Sequence, residues 1–255
     1  MKKIDLNSDM GESFGRYKLG NDEELMKYIS SANIACGFHG GDPHVLKYTI
    51  KLAKNYGTAV GAHPGLPDLL GFGRRAMDVT PEELYDYVVY QIGATQAFCT
   101  AAGVPLQHVK CHGSIEQMST DRPELSEAVA SAVKDVNPNL IYMTIADTTL
   151  HRTCKKAGLR AAGEAYGDRA YNDDGTLVSR RLPGSVINDP EVVAARIIQL
   201  LDTGTINTYK GGKVKIDAQS ICMHGDTPGA AGLAKIVREK LEGRGISVVP
   251  VGTLV

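Results

Sequence analysis

The stretch Asn33-Ile-Ala-Cys-Gly-Phe-His-Gly-Gly-Asp-Pro43 sets three signals in a row. Asn33 to Cys36 is a short run of β character. Asp42-Pro43 starts a helix, with a capping side chain ahead of a proline at the first helical position. Between them a glycine-rich turn carries His39, so an ionisable group sits at the C-terminal end of the strand. The same order recurs along the chain. Further β-like runs span Ile4 to Asn7, Thr58 to Ala62, His108 to Cys111, Leu140 to Met143, Ala161 to Glu164, Ser220 to Met223 and Ser247 to Val251. Helix starts return at Thr80-Pro81, Asp189-Pro190 and Thr227-Pro228. Gly57, Gly103, Gly204 and Gly243 are the matching stops, because the residue past a helix end often needs positive φ. Behind a Thr80 to Glu83 capping box, Leu84, Val88, Ile92 and Thr95 or Phe98 recur at helical spacing.

Strands alternating with helices make βα units and a mainly parallel sheet, a pattern that a closed barrel and an open doubly wound sheet both satisfy. The polar residues decide between them. Nearly every β-like run ends in ionisable or small residues: Asn7-Ser-Asp9-Met-Gly-Glu12, His39-Gly-Gly-Asp42, Gly61-Ala-His63-Pro, Lys110-Cys-His112-Gly, Glu164, and Met223-His224-Gly-Asp226. An open sheet needs such groups only at its switch point, whereas a barrel brings every strand end to one rim. The expected fold is therefore α/β, a TIM-like (β/α) barrel of seven or eight parallel strands. With no linker, composition break or repeat, one domain is expected over residues 1–255.

Composition narrows the function. The 28 Lys plus Arg balance 29 Asp plus Glu, and the densest basic steps are pairs such as Lys2-Lys3 and Lys155-Lys156. Counterion release from nucleic acid or an anionic membrane surface needs a basic excess that this chain lacks. No apolar run reaches the ~18 residues of a membrane span, and the N-terminus turns polar before any signal-peptide core forms, so a cytoplasmic location is expected. Cys36, Cys99, Cys111, Cys154 and Cys222 are odd in number with no C-x-x-C, and read as buried thiols. Self-association into a homo-oligomer stays open.

His39, His63, His112 and His224 each follow an apolar run, beside a glycine or alanine. If the strands close, these imidazoles converge with Asp9, Glu12, Asp42, Lys110, Glu164 and Asp226 in one cavity suited to acid/base or metal chemistry. The competing reading makes each histidine a satisfied strand-end residue; four in equivalent positions favour a site. A divalent ion would draw on Asp9, His39, His63 and His112. His108 starts its run and belongs to the opposite rim, while His44 and His151 fall on helices. Arg74 and Arg75 end a long Gly/Pro-rich loop from Gly61, and either bind a carboxylate or phosphate or anchor the loop. Glu164 to Tyr171, with Asp168 and Arg169, and Arg180-Arg181 have the same two readings. No G-x-x-x-x-G-K-[ST], dinucleotide fingerprint or G-x-S-x-G elbow is present. Cys111 beside His112 is a poor nucleophile and base pair, because neighbours along a strand point to opposite faces.

Asp5 to Gly15, Ser31 to Pro43, Gly61 to Gly65 with Gly71 to Arg75, and Cys222-Met-His-Gly-Asp226 resemble the signature blocks of the LamB/YcsF family, the A-subunit proteins of 5-oxoprolinase. The resemblance implies a barrel of glycoside hydrolase/deacetylase type. It further implies ATP-dependent cleavage of 5-oxo-L-proline to L-glutamate, with ATP and Mg2+ used by a complex containing partner subunits B and C. Carried over residue by residue, the catalytic set is Asp9, Glu12, His39, His63, Lys110, His112, His224 and Asp226. Asn7, Asp42, Arg74, Arg75, Asp168, Arg169 and Arg181 would bind substrate. One block departs from the family pattern: Lys110-Cys-His-Gly-Ser-Ile-Glu-Gln117 stands where Lys-Pro-His-Gly-Ala-Leu-Tyr-Asn is usual. Gly40 and Tyr166-Gly167 also depart, from Ala and Phe-Ala. Two other functions fit the same residues: a metal-dependent deacetylase or amidohydrolase using no ATP, and a protein that binds a lactam without turning it over.

Overall fold

The computed structural model describes residues 2–223 and 229–255. The expected helix start at Thr227-Pro228, together with His224, Gly225 and Asp226, lies outside the described residues. Along the chain run β1 (Lys3–Met10), α1 (Asp22–Leu25), β2 (Ser31–Ala35), α2 (Pro43–Tyr56), β3 (Ala59–His63), α3 (Pro81–Ala102), β4 (Leu106–Val109), α4 (Ser114–Asp121), α5 (Pro123–Val136), β5 (Ile141–Ile145), α6 (Thr149–Lys156), β6 (Arg160–Tyr166), α7 (Pro190–Thr203), β7 (Thr205–Asn207), β8 (Lys213–Lys215), β9 (Ser220–Cys222), α8 (Ala230–Gly243) and β10 (Ser247–Val248), and a 3-10 turn follows at Val251–Thr253.

Seven parallel strands, ordered β1-β2-β3-β4-β5-β6-β9, close into a barrel through the β1 to β9 pairing, where Asp5 faces Ser220 and Asn7 faces Cys222. The eighth expected run stays outside this ring. Among the described residues its Ser247 and Val248 pair with Lys3 and Ile4 alone, and Val251 already belongs to the 3-10 turn. An antiparallel β7–β8 hairpin, which no periodicity announces, precedes β9.

Local chemistry explains the helices. Asp42 caps α2, accepting from the His44 and Val45 amides, and Thr80 and Glu83 form the capping box of α3. Gly57, Gly103 and Gly204 end their helices at φ of 69°, 65° and 67°. Gly243 does not: it remains helical, and the positive φ, 74°, falls at Gly245. Leu84, Val88, Ile92 and Thr95 form the buried face of α3. Among the described residues no helix is long and apolar enough to cross a membrane. All five cysteines are free and buried.

Period-2 alternation along β1 sends Ile4, Leu6 and Met10 outward to the helices and Asp5, Asn7 and Asp9 into the barrel. The lower end of the interior is closed by an apolar plug of Ile141, Met143, Ala162 and Val251. The rest is a polar column. Asp5 Oδ1 accepts from the Ser30 and Ser31 hydroxyls, both at 2.7 Å. The Asn7 amide donates to Glu164 Oε1 at 2.8 Å and Ser220 Oγ at 2.7 Å, and Asn33 donates to Asn7 Oδ1 at 2.7 Å and Asp9 Oδ1 at 2.9 Å. His108 belongs to this column, which corrects its placement on the opposite rim: β4 begins at Leu106, so His108 faces inward, fully buried, and donates to Asn33 Oδ1 at 2.9 Å. Gly61 makes room for it, since a Cβ there would lie 2.1 Å from His108 Nε2.

Candidate active site

Lys110, just past β4, stands at the top of the column. Its ammonium lies 3.0 Å from Asp9 Oδ1, 2.9 Å from Glu164 Oε1, and 3.3 Å from both Asn7 Oδ1 and Cys222 Sγ. Burial works against this charge, but the neighbouring Asp9 carboxylate first, then Cys222 and Glu164, outweigh it and hold the ammonium well above its usual range. Burial likewise opposes the Asp9 carboxylate, and His63 and Lys110 outweigh it, so Asp9 ionises far below the usual carboxylate range. Lys110 and Asp9 are thus charged together.

Three histidines adjoin this clamp. His63 Nδ1 donates to the Lys110 carbonyl at 2.6 Å, and its Nε2 lies 3.0 Å from His112 Nδ1 and 3.3 Å from Asp9 Oδ2. His112 Nε2 donates to the Phe72 carbonyl at 2.8 Å. His39 stacks on His112 with ring centroids 3.8 Å apart, and its Nε2 is 3.3 Å from Glu12 Oε1. Burial lowers the His39 basicity well below the ordinary imidazole range, and together with His63 takes His112 down to about 3. The loop from Gly65 to Arg75 closes over these rings: Gly73, at φ 62°, passes so near that a Cβ would come within 2.7 Å of His39 Cβ. One donor atom each from Glu12, His39, His63 and His112 lies within 4.8 Å of the others, a chemistry that fits a divalent ion.

A cavity of about 900 Å3 opens beside the clamp. Asp9, His63, Lys110, His112, Arg74 and Arg169 share its wall, as the sequence led one to expect. Glu12 and His39 lie behind that wall, next to it. Other expected groups have different work. Asn7 is fully buried below Lys110, off the cavity wall, with its amide committed to the column beneath the clamp. Asp42 is spent on capping α2 and on the Gly15 amide. Arg75 pairs with Asp68 and anchors the loop, its side chain 65% exposed. Asp168 is buried away from the cavity wall, and Arg181 is exposed outside it, while its neighbour Arg180 lines it. Burial pushes the Cys111 thiol well up from its usual range, which favours the neutral thiol over the nucleophilic thiolate.

Of the far wall, sequence reasoning named Arg169, Tyr171 and Arg180 and missed the rest. The segment from Arg169 to Arg180 and residues Val214 to Ile216 form a cap over the cavity, facing Thr148, Thr149 and Arg152. The cap is held by the Arg169–Val186 and Tyr171–Leu177 bridges, and by Arg169 Nη2 donating to the Val178 carbonyl at 2.7 Å. Of the departures from the family pattern, Cys111, Ser114, Glu116, Gln117 and Tyr166 line the cavity. Glu116 Oε1 accepts from Thr144 Oγ1 and the Ile145 amide, and burial pushes its carboxyl up to about 7.

Fold and site together define a (β/α)-barrel protein whose C-terminal rim carries a lysine clamped by carboxylates beside a buried histidine cluster. The LamB/YcsF family model matches residues 4–255, and the chain belongs to that family. The 5-oxoprolinase A-subunit of Natranaerobius thermophilus is 50% identical over 99% of this chain and 98% of its own, and that of Pyrococcus furiosus 48% identical over 99% of each. The crystal structure of the lactam utilization protein from Thermus thermophilus superposes with a TM-score of 0.92 at 46% identity, over 97% of this chain and 99% of that one. A T48 deacetylase, 15% identical over 99% of this chain and 90% of its own, shares the fold at a TM-score of 0.51.

Proposed function

We propose that this chain is the lactam-handling A-subunit of a 5-oxoprolinase, which cleaves 5-oxo-L-proline to L-glutamate with ATP hydrolysis in a complex with subunits B and C. The names of its relatives support the substrate, and the observation that carries the chemistry is the charged Lys110 clamp on the cavity wall. A lactam carbonyl is a weak electrophile, so a fixed ammonium at the carbonyl oxygen stabilises the charge that develops when water attacks. Arg74, Arg169 and Arg180 offer guanidinium groups to the ring carboxylate. Glu164 is held at Oε1 by Lys110 and Asn7, while its buried Oε2 meets no hydrogen-bond partner among the described residues. That oxygen takes the proton of the attacking water and returns it to the ring nitrogen as the C–N bond breaks. ATP, with Mg2+, would first pass its γ-phosphoryl group to the carbonyl oxygen and leave as ADP; C–N cleavage then leaves an acyl phosphate, which a second water hydrolyses to L-glutamate and phosphate. With no P-loop in this chain, the partner subunits hold ATP.

The test is reconstitution with subunits B and C, following glutamate and ADP together. Coupled turnover that falls at least about 100-fold in Lys110→Met supports the reading. ATP hydrolysis in step with 5-oxoproline by the isolated chain overturns the need for partners, and lactam binding without turnover in the full complex reduces the role of this chain to binding. The second reading is a metal-dependent amidohydrolase, favoured by the cluster of Glu12 and three histidines. It predicts amide hydrolysis without ATP.

A further inference from the structure

The hydrogen bonds of His63 and His112 fix where their lone pairs point. A backbone carbonyl only accepts, so the proton on His63 resides at Nδ1, facing the Lys110 carbonyl at 2.6 Å, and that on His112 at Nε2, facing the Phe72 carbonyl at 2.8 Å. The two remaining nitrogens, His63 Nε2 and His112 Nδ1, therefore face each other across 3.0 Å as acceptors. Two lone pairs at that distance repel unless a cation lies between them. Asp9 Oδ2, 3.3 Å from His63 Nε2, and Glu12 Oε1, 3.8 Å from His112 Nδ1, turn negative charge toward the same point.

A single proton on one imidazole satisfies one nitrogen pair. It would also add a buried imidazolium beside an ammonium that already draws on Asp9. Four converging donors suit a larger charge. In a tetrahedral site with metal–nitrogen and metal–oxygen distances near 2.1 Å, neighbouring ligand atoms are about 3.4 Å apart; three of the six separations in this set, His63–His112, His63–Asp9 and His112–Glu12, are 3.0, 3.3 and 3.8 Å and bracket that value. Carbonyls holding the far nitrogens are the usual outer support of metal-bound imidazoles. His39 is a different case. Its ring lies 5° from parallel to His112 at 3.8 Å, and an ion in the plane of one stacked ring is out of the plane of the other.

We propose that Asp9, Glu12, His63 Nε2 and His112 Nδ1 bind one divalent transition metal ion of the zinc, cobalt or manganese class, with His39 packing on the site and not ligating. The site binds its ion in the isolated chain, whether or not the 5-oxoprolinase reading holds, so the two fail separately. The test uses the full chain purified without chelator. Elemental analysis is expected to give one such ion per chain, and Co2+ added to chelator-treated protein is expected to give the intense visible absorption of a tetrahedral centre. Zn2+ titration is expected to weaken at least about 100-fold in His63→Ala and His112→Ala, and less than about tenfold in His39→Ala. Metal-free protein whose wild-type form neither binds Zn2+ stoichiometrically nor yields the Co2+ band overturns the site, independently of how the variants fold. Loss of binding in folded His39→Ala equal to that in folded His63→Ala overturns the ligand set.

Discussion

Asp5 shows what a charged interior costs. It has no solvent exposure; burial pushes its carboxyl up to about 6, against the hydroxyls of Ser220, Ser30 and Ser31, which favour the ionised form. The folded chain therefore holds a proton that the unfolded chain has released between about pH 4 and 6. Stability contributed by this group is complete below that window and falls as pH rises through it, by about 3 kcal/mol in all. Asp5→Asn removes the ionisation and keeps the size. The difference in urea unfolding free energy between variant and wild type is expected to move by about 3 kcal/mol in the variant's favour from pH 4 to pH 7; parallel pH profiles would exclude this. Lys110 is the opposite case, a buried charge that is paired. Lys110→Met leaves Asp9 and Glu164 facing each other without their cation and is expected to cost about 3–5 kcal/mol at neutral pH. Part of that loss should return as pH falls and a carboxylate is protonated, which denaturant titration at two pH values would show.

Strands carry the site, and β3 and β4 show how closely they fit. Gly61→Ala places a methyl 2.1 Å from His108 Nε2, so His108 must leave Asn33 Oδ1 or the strands must part. Lost hydrogen bonding and overpacking together predict a cost of about 2–5 kcal/mol. Adding His108→Ala should recover part of it, and additive losses in thermal unfolding would refute the contact. These same strands were the legible part of the sequence: a β run followed by Gly, His and a capped helix encodes the strand end, hence the rim and the gathering of Asp9, His63, Lys110 and His112. The reading failed where one residue type serves two purposes. Asp42 looks alike as ligand and as helix cap, Arg75 alike as anion binder and as loop anchor. His108 went astray because the strand starts two residues earlier than its apolar run suggested. Which strand-end oxygens find no partner among the described residues, as at Glu164 Oε2, depends on neighbours from distant strands, and no local pattern records it.

The cap was illegible because its strands are short and carry no periodic pattern, yet it changes what the whole molecule does with a ligand. The barrel rim alone presents an open face; residues 169–180 and 214–216 turn it into a cavity of about 900 Å3. That volume lies near the top of the ~300–1,000 Å3 range of small-molecule pockets, more than one single-ring lactam fills. A ligand seated on Lys110 with its carboxylate on the exposed Arg180 would draw the tip of the cap toward the rim. The part of the cap free to shift is its exposed tip, residues 172–177 and 179–180, since Tyr171, Val178 and Ile216 are buried and β8 pairs with β7, whereas α3 packs along α5 and the barrel. Saturating 5-oxoproline is therefore expected to slow amide hydrogen exchange several-fold in residues 169–180 and 214–216, with α3 unchanged. Arg180→Ala should remove the slowing without altering exchange in the free protein. Equal protection across the chain, or protection confined to the residues around Lys110, would mean that the ligand binds on the rim and the cap takes no part in holding it.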